Sequence, residues 1–164
     1  MNERKLIIKG HDKNPFVKFW NWGWGIYYKN PEVWNYIIFG ALTTLVSLGT
    51  KWLLLFTIFH ADNPIEMELS VIISWIAAVT FAYITNRIYV FKSKSKEYLR
   101  EILSFFGGRL LTLGMEMLIM WFFITFLKLD SNIEVLIITI ITQILILIGN
   151  YFLSKLFVFK KKDI

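Results

Sequence analysis

The 164-residue sequence has no cysteine, which excludes a disulfide framework, a thiolate metal site and a cysteine nucleophile. Its two histidines, His11 and His60, sit apart in segments expected on opposite sides of a membrane, so no histidine metal site is expected. The sequence has no Walker loop, no GxSxG elbow and no paired acids in an extramembrane region. The chain is therefore read as no enzyme and no ATP-driven pump by itself, with no cofactor. The opening residues, MNERKLIIKGHDKNP, lack a long apolar core and a small-residue cleavage site, so no signal peptide is expected.

What the sequence has in excess is apolar surface. It is 56% hydrophobic with 15 Phe, 7 Trp and 7 Tyr, and its mean hydropathy is +0.54. A soluble domain of this length has too high a surface-to-volume ratio to hide so much. The apolar residues fall in four runs long enough to span a bilayer, at about 33–59, 69–91, 101–127 and 133–159. The fold class is thus all-α: a polytopic protein of the cell (cytoplasmic) membrane, with one four-helix domain over residues 31–164. Residues 1–30 read as an extension, a polar tail followed by FVKFWNWGWGIYY at 16–28. That stretch is too short to span and rich in Trp and Tyr, so it suits the headgroup region; Gly23 and Gly25 count against a continuous helix.

Charge sets the expected topology. Lys92, Lys94, Lys96 and Arg100 lie between the second and third spans, and Lys160-Lys161-Lys162 closes the fourth. The loops His60–Glu68 and Lys128–Glu134 together carry one lysine and five acids. Positive residues stay inside, so both termini are expected in the cytoplasm with two hairpins projecting outward. The net charge of +6 accordingly speaks of topology and anionic membrane lipid, and no nucleic-acid partner is expected. The hairpins also echo each other. Asn86-Arg87-Ile88-Tyr89-Val90-Phe91-Lys92 matches Ser154-Lys155-Leu156-Phe157-Val158-Phe159-Lys160, and Phe39-Gly40 matches Phe106-Gly107. Since both hairpins start inside, they would be parallel repeats about an axis along the membrane normal.

Three charges stand out inside the spans: Lys51, Arg109 and Glu116. A charge at the bilayer centre costs about 2.5–3.5 kcal/mol on insertion scales, so each needs a partner or a use. By helical rise, Arg109 lies roughly 10–12 Å inside the end of its helix, and Asn86, Arg87, Asn150 and Lys155 fall in the same inner-leaflet layer. A guanidinium with amide and cationic neighbours suits a phosphate. Glu116, near the midplane, could then release the anion, bind sugar hydroxyls or carry a proton, and Lys51 would offer a second cationic station in the outer leaflet. The structural alternatives are an Arg109–Glu116 ion pair and snorkelling of Arg87, Lys155 and Lys51 to the surface.

The run Ala82-Tyr83-Ile84-Thr85-Asn86-Arg87-Ile88-Tyr89-Val90-Phe91 carries a family resemblance. So do Tyr36-Ile37-Ile38-Phe39-Gly40 with Thr43, the Phe105…Arg109 pair, and Asn150 ahead of Phe157-Val158-Phe159. Over about Val33–Lys161 the chain resembles the GtrA-like family, which includes teichoic acid glycosylation proteins of the GtcA type; Tyr89 replaces a tryptophan common there. The resemblance implies a flippase that moves a polyprenyl-phosphate-linked sugar, such as an undecaprenyl phosphate sugar, to the outer leaflet. There a membrane glycosyltransferase would use it to decorate a cell-wall polymer or other polysaccharide. It also marks Ala82, Asn86, Val90, Phe91, Arg109 and Asn150 as positions that matter, with Phe105 as motif packing. The other readings are a membrane adaptor that organises a glycosyltransferase without moving lipid, and a small proton-coupled multidrug exporter. Four helices are few to enclose a path, and in a homo-oligomer the polar stripes would face a shared interface.

Overall fold

The computed structural model describes residues 14–129 and 131–159. The polar tail before Asn14, Asp130 and the closing lysines lie outside the described residues. The described chain is helical apart from short connections, with α1 (Pro15–Lys29) followed by four spanning helices. These are α2 (Pro31–Thr57), α3 (Pro64–Val90), α4 (Tyr98–Phe126) and α5 (Asn132–Val158). Each of the three prolines opens a helix, where its missing N–H costs nothing.

α1 is one helix despite its two glycines. Asn14 caps it by accepting from the Phe16 N–H at 2.9 Å, and a ladder of edge-on rings, Trp20–Trp24–Tyr27, runs along it at helical spacing. Phe16, Phe19 and Trp22 point outward and are exposed. The Tyr27 hydroxyl donates to Asn35 Oδ1 at 3.0 Å and ties α1 to α2.

The spans are shifted from the sequence expectation. α3 starts at Pro64, inside the segment read as the loop His60–Glu68, because Asn63 accepts from the Ile65 N–H at 3.1 Å and caps the helix. Glu66 then sits in the first turn, favoured by the helix dipole. α4 likewise starts at Tyr98 and takes in Arg100, which had been placed in the loop. α5 opens on a capping box, with Ser131 and Glu134 each bonding the other's backbone.

The repeat is expressed in packing. α3 and α5 both end in a widened turn with i→i+5 bonds, Phe91 N–H to Asn86 O and Phe159 N–H to Ser154 O, each 2.8 Å. Phe91 and Phe159 stack on one another at 5.1 Å where the two hairpins meet. Around them Tyr83 packs on Phe159 and Phe105, and Tyr151 packs on Phe91 and Tyr36, one arrangement seen twice. The ion pairs repeat as well. Arg87 Nε donates to Glu101 at 2.6 Å with Tyr83 bonded to the same carboxylate, and Lys155 meets Glu32 at 2.7 Å with Tyr151 bonded to it. Each cation at the end of one hairpin is thus held by a carboxylate at the start of the other. These roles pair Glu32 with Glu101 and Tyr36 with Phe105, two residues out of step with the Phe39-Gly40 and Phe106-Gly107 echo.

This aromatic plug, with Val79, Ala82 and Val90, is the buried core, and it lies at one end only. Beyond it, α2 packs chiefly along α3 and α4 along α5, with Ser70, Ser74 and Ala78 buried on α3 where small residues let helices approach. The two hairpins are pinned at the plug and part above it. Because the chain lacks cysteine, single cysteines report its orientation cleanly. Lys94→Cys should react with an impermeant thiol reagent only after cells are opened, and Asp62→Cys should react from outside. The reverse pattern would invert the expected topology.

Candidate substrate-binding cleft

Where the hairpins part, a cleft of about 530 Å³ lies immediately above the plug. α2 contributes Tyr36, Gly40, Thr43, Thr44 and Ser47 to its wall; α3 contributes Trp75, Ala78, Ala82 and Asn86. Arg109 enters from α4, and Gln143, Leu147 and Asn150 from α5. Gly40 faces α5 across the cleft, where a methyl group would make ordinary contact with Leu147 Cδ1 at 4.0 Å.

Arg109 is the cation of this cleft. Its guanidinium faces the Tyr36 hydroxyl and lies 5.0 Å from the Phe105 ring centroid. Among the described residues no carboxylate lies within ion-pair distance of it. The Arg109–Glu116 pair is therefore not formed; Glu116 Oε1 instead accepts from Gln143 Nε2 at 2.5 Å, because two helical turns part Glu116 from Arg109 while Gln143 faces it from α5.

Two amides flank the guanidinium. Asn86 is 3% exposed; its Nδ2 donates to Ala82 O at 2.7 Å, and its Oδ1 is buried without a partner. Leaving a buried acceptor unpaired costs about 1–3 kcal/mol, and this oxygen is closed off from the open space of the cleft as well as from a donor. Asn150 accepts at Oδ1 from Thr112 Oγ1 at 3.0 Å, which orients its amide on the wall. The Thr112 hydroxyl is within 3.2 Å of the Gly108 and Arg109 carbonyls too, so it couples the two hairpin helices beside the guanidinium.

Of the residues singled out from sequence, the structure brings Arg109, Asn86, Asn150 and Ala82 to one wall. Arg87 and Lys155 are not in the lining. Arg87 also bonds the Ser95 carbonyl at 2.6 Å and lies over the Tyr98 ring, and Lys155 bonds the Tyr151 hydroxyl at 3.0 Å. Both point into the cross-hairpin pairs, away from Arg109, because first-turn carboxylates draw them. Lys51 lies one turn beyond Ser47, outside the lining. Glu116 reaches the cleft only through Gln143. Val90, Phe91 and Phe105 belong to the plug, at 4%, 7% and 2% exposure. Sequence reasoning missed Glu32, Glu101, Tyr83 and Tyr151, although first-turn acids opposite the Arg87 and Lys155 repeat were there to be matched.

The fold and cleft define a small multi-pass membrane protein built from two parallel hairpin repeats, with one guanidinium and two amides between them. The chain belongs to the GtrA/DPMS transmembrane domain family, whose profile matches residues 35–159. It is 38% identical over 130 residues, 77% of this chain and 83% of the relative, to a cell wall teichoic acid glycosylation protein, GtcA, of Listeria monocytogenes. A GtcA of Listeria innocua is also 38% identical, over 76% of this chain and 82% of its own length. YwcD of Bacillus subtilis, an uncharacterised membrane protein, is 33% identical over 77% of this chain and 94% of its own. No solved structure matches the chain.

Proposed function

We propose that this chain moves a polyprenyl-phosphate-linked sugar between the leaflets of the cell membrane, for glycosylation of a cell-surface polymer such as teichoic acid. It acts as a carrier and not as an enzyme. The observation that carries the reading is Arg109: a guanidinium within a span, in a cleft, with no carboxylate beside it among the described residues. A phosphate monoester or diester supplies the missing charge and suits the fork of donors. The gap between hairpins lets the isoprenoid chain stay in lipid while the headgroup occupies the cleft. The two Listeria relatives carry teichoic acid glycosylation in their names, which supports the same pathway here.

Cells lacking the chain should keep the lipid-linked sugar and lose the sugar from the surface polymer, and resupplying the chain should restore it. Unchanged surface glycosylation would overturn the proposal. Gly40→Leu should act like the deletion at normal protein level, because the added side chain fills the space between α2 and Leu147.

A further inference from the structure

We propose that the cleft is entered sideways, through the seam between α2 and α5, and that Glu32, Tyr151 and Lys155 are the latch of this door; the proposal rests on the transport reading above. Exposure around the cavity shows which side is open. Its α3 wall, with Ala78, Val79, Ala82 and Asn86, is buried. Ile37 of α2 and Leu147 of α5 are each 40% exposed, and Thr44 and Gln143 in the same lining are exposed too. α3 is therefore the floor of the cleft, and α2 and α5 are its lips. The opposite seam, between α3 and α4, is shut from the plug upward. Arg87 and Glu101 pair there largely out of solvent, Tyr83 packs on Phe105 at 5.7 Å, and Trp75 packs on Phe106 at 6.1 Å.

The α2–α5 seam is a zipper whose rungs weaken along its length. Steps of four residues keep side chains on one helical face. In antiparallel register, Glu32, Tyr36, Gly40 and Thr44 line up with Lys155, Tyr151, Leu147 and Gln143. The first rung is the ion pair at 2.7 Å, and the Tyr151 hydroxyl reinforces it, donating to Glu32 at 2.6 Å and accepting from Lys155 at 3.0 Å. The second is the edge-on contact of Tyr36 with Tyr151 at 5.2 Å. At the third, Gly40 offers Leu147 no side chain. At the fourth, Thr44 bonds the Gly40 carbonyl and Gln143 bonds Glu116, so neither of those bonds crosses the seam. The lips are thus held at the plug end and free above it. An ion pair open to solvent holds weakly and can break and re-form, whereas parting the buried Arg87–Glu101 pair is costly. One cross-hairpin pair is the fixed hinge and the other is the latch, which gives their difference in burial a use. Any ligand whose chain must stay in lipid while its charged end reaches Arg109 needs such a lateral door.

The test uses the full chain, which has no cysteine of its own, with Glu32→Cys and Lys155→Cys introduced together. The protein is reconstituted in vesicles carrying a polyprenyl phosphate monosaccharide in one leaflet. Before bridging, exchange between leaflets should stay within about fivefold of wild type, because so exposed a pair contributes little. A short reducible bridge between the two thiols should slow exchange by roughly tenfold or more, as locking a gate does. Reductant should restore it, a recovery that a merely structural role for the pair would not give. A long flexible bridge should leave exchange nearly intact. Ile37→Cys with Leu147→Cys, on the lips above, should be blocked by the short bridge in the same way, and this pair carries the test if the first lowers the protein level. Exchange that the short bridge leaves unslowed in both pairs would overturn the door and leave transport standing. So would loss of exchange before bridging, at normal protein level, while wild type exchanges. Wild type no faster than empty vesicles would overturn the transport reading itself.

Discussion

Arg109→Ala is expected to abolish surface glycosylation while the protein still inserts and accumulates normally. Hydrogen bonds to a charged partner contribute about 1.5–3 kcal/mol each, so losing a two-pronged guanidinium–phosphate contact should weaken headgroup capture by at least a hundredfold. Stability should change little, because no carboxylate among the described residues loses its partner when Arg109 is removed. Arg109→Lys should fall between, since an ammonium keeps the charge and loses the planar fork. The measurements are sugar content of the surface polymer and membrane level of each variant, read side by side. An Arg109→Ala variant with full glycosylation at normal level would remove the residue from the mechanism.

Glu101→Ala should do the opposite and damage the fold. The Glu101 side chain is 4% exposed and takes bonds from Arg87, Ser93 and Tyr83, so its removal strands a guanidinium that is itself only 16% exposed. Breaking a buried pair by deleting one partner costs about 3–5 kcal/mol. Its repeat counterpart should be far more tolerant. In the Glu32–Lys155 pair the side chains are 37% and 46% exposed, and pairs so open contribute about 0–1 kcal/mol. Unfolding midpoints of Glu101→Ala and Glu32→Ala in one detergent check this. Equal losses would mean that the two cross-hairpin pairs are equivalent, against the difference in their burial.

The contrast between those two variants bears on what the sequence made legible. The four spans, their hydrophobicity and the two-hairpin repeat are consequences of bilayer thickness and were readable directly. Arg109, Asn86 and Asn150 were readable because a polar group inside a span demands an explanation, and all three line the cleft. The sorting of the other cations was not readable. Depth along a helix places Arg87 in the same layer as Arg109, yet rotation about the axis and the cross-hairpin carboxylate Glu101 decide where its guanidinium points. Helix starts were missed for a local reason. Asn63-Pro64 is the same start signal as Asn30-Pro31, but the acids that follow it made the segment read as a loop. Glu116 looked like a partner for Arg109 on its own helix, whereas its partner, Gln143, comes from the neighbouring helix of the same hairpin.

The repeat also explains why the cleft is where it is. Stacked Phe91 and Phe159, with the paired tyrosines about them, close one end of the molecule, and aromatic pairs of this kind contribute about 0.5–1.5 kcal/mol each beyond their buried area. Above the plug the hairpins still meet at Trp75 and Phe106, whose rings pack edge-on at 6.1 Å, and the polar wall beside that pair is open.

The central claim is transport, and the most direct measurement is leaflet-specific detection of the lipid in vesicles. Purified chain is reconstituted with a polyprenyl phosphate monosaccharide placed in one leaflet, and an impermeant sugar-modifying reagent reports how much is accessible over time. The account predicts that wild type equilibrates the sugar between leaflets faster than empty vesicles do, and that Arg109→Ala vesicles match the empty ones. Wild-type vesicles no faster than empty ones, from protein that still supports glycosylation in cells, would contradict it and favour an adaptor that organises a glycosyltransferase.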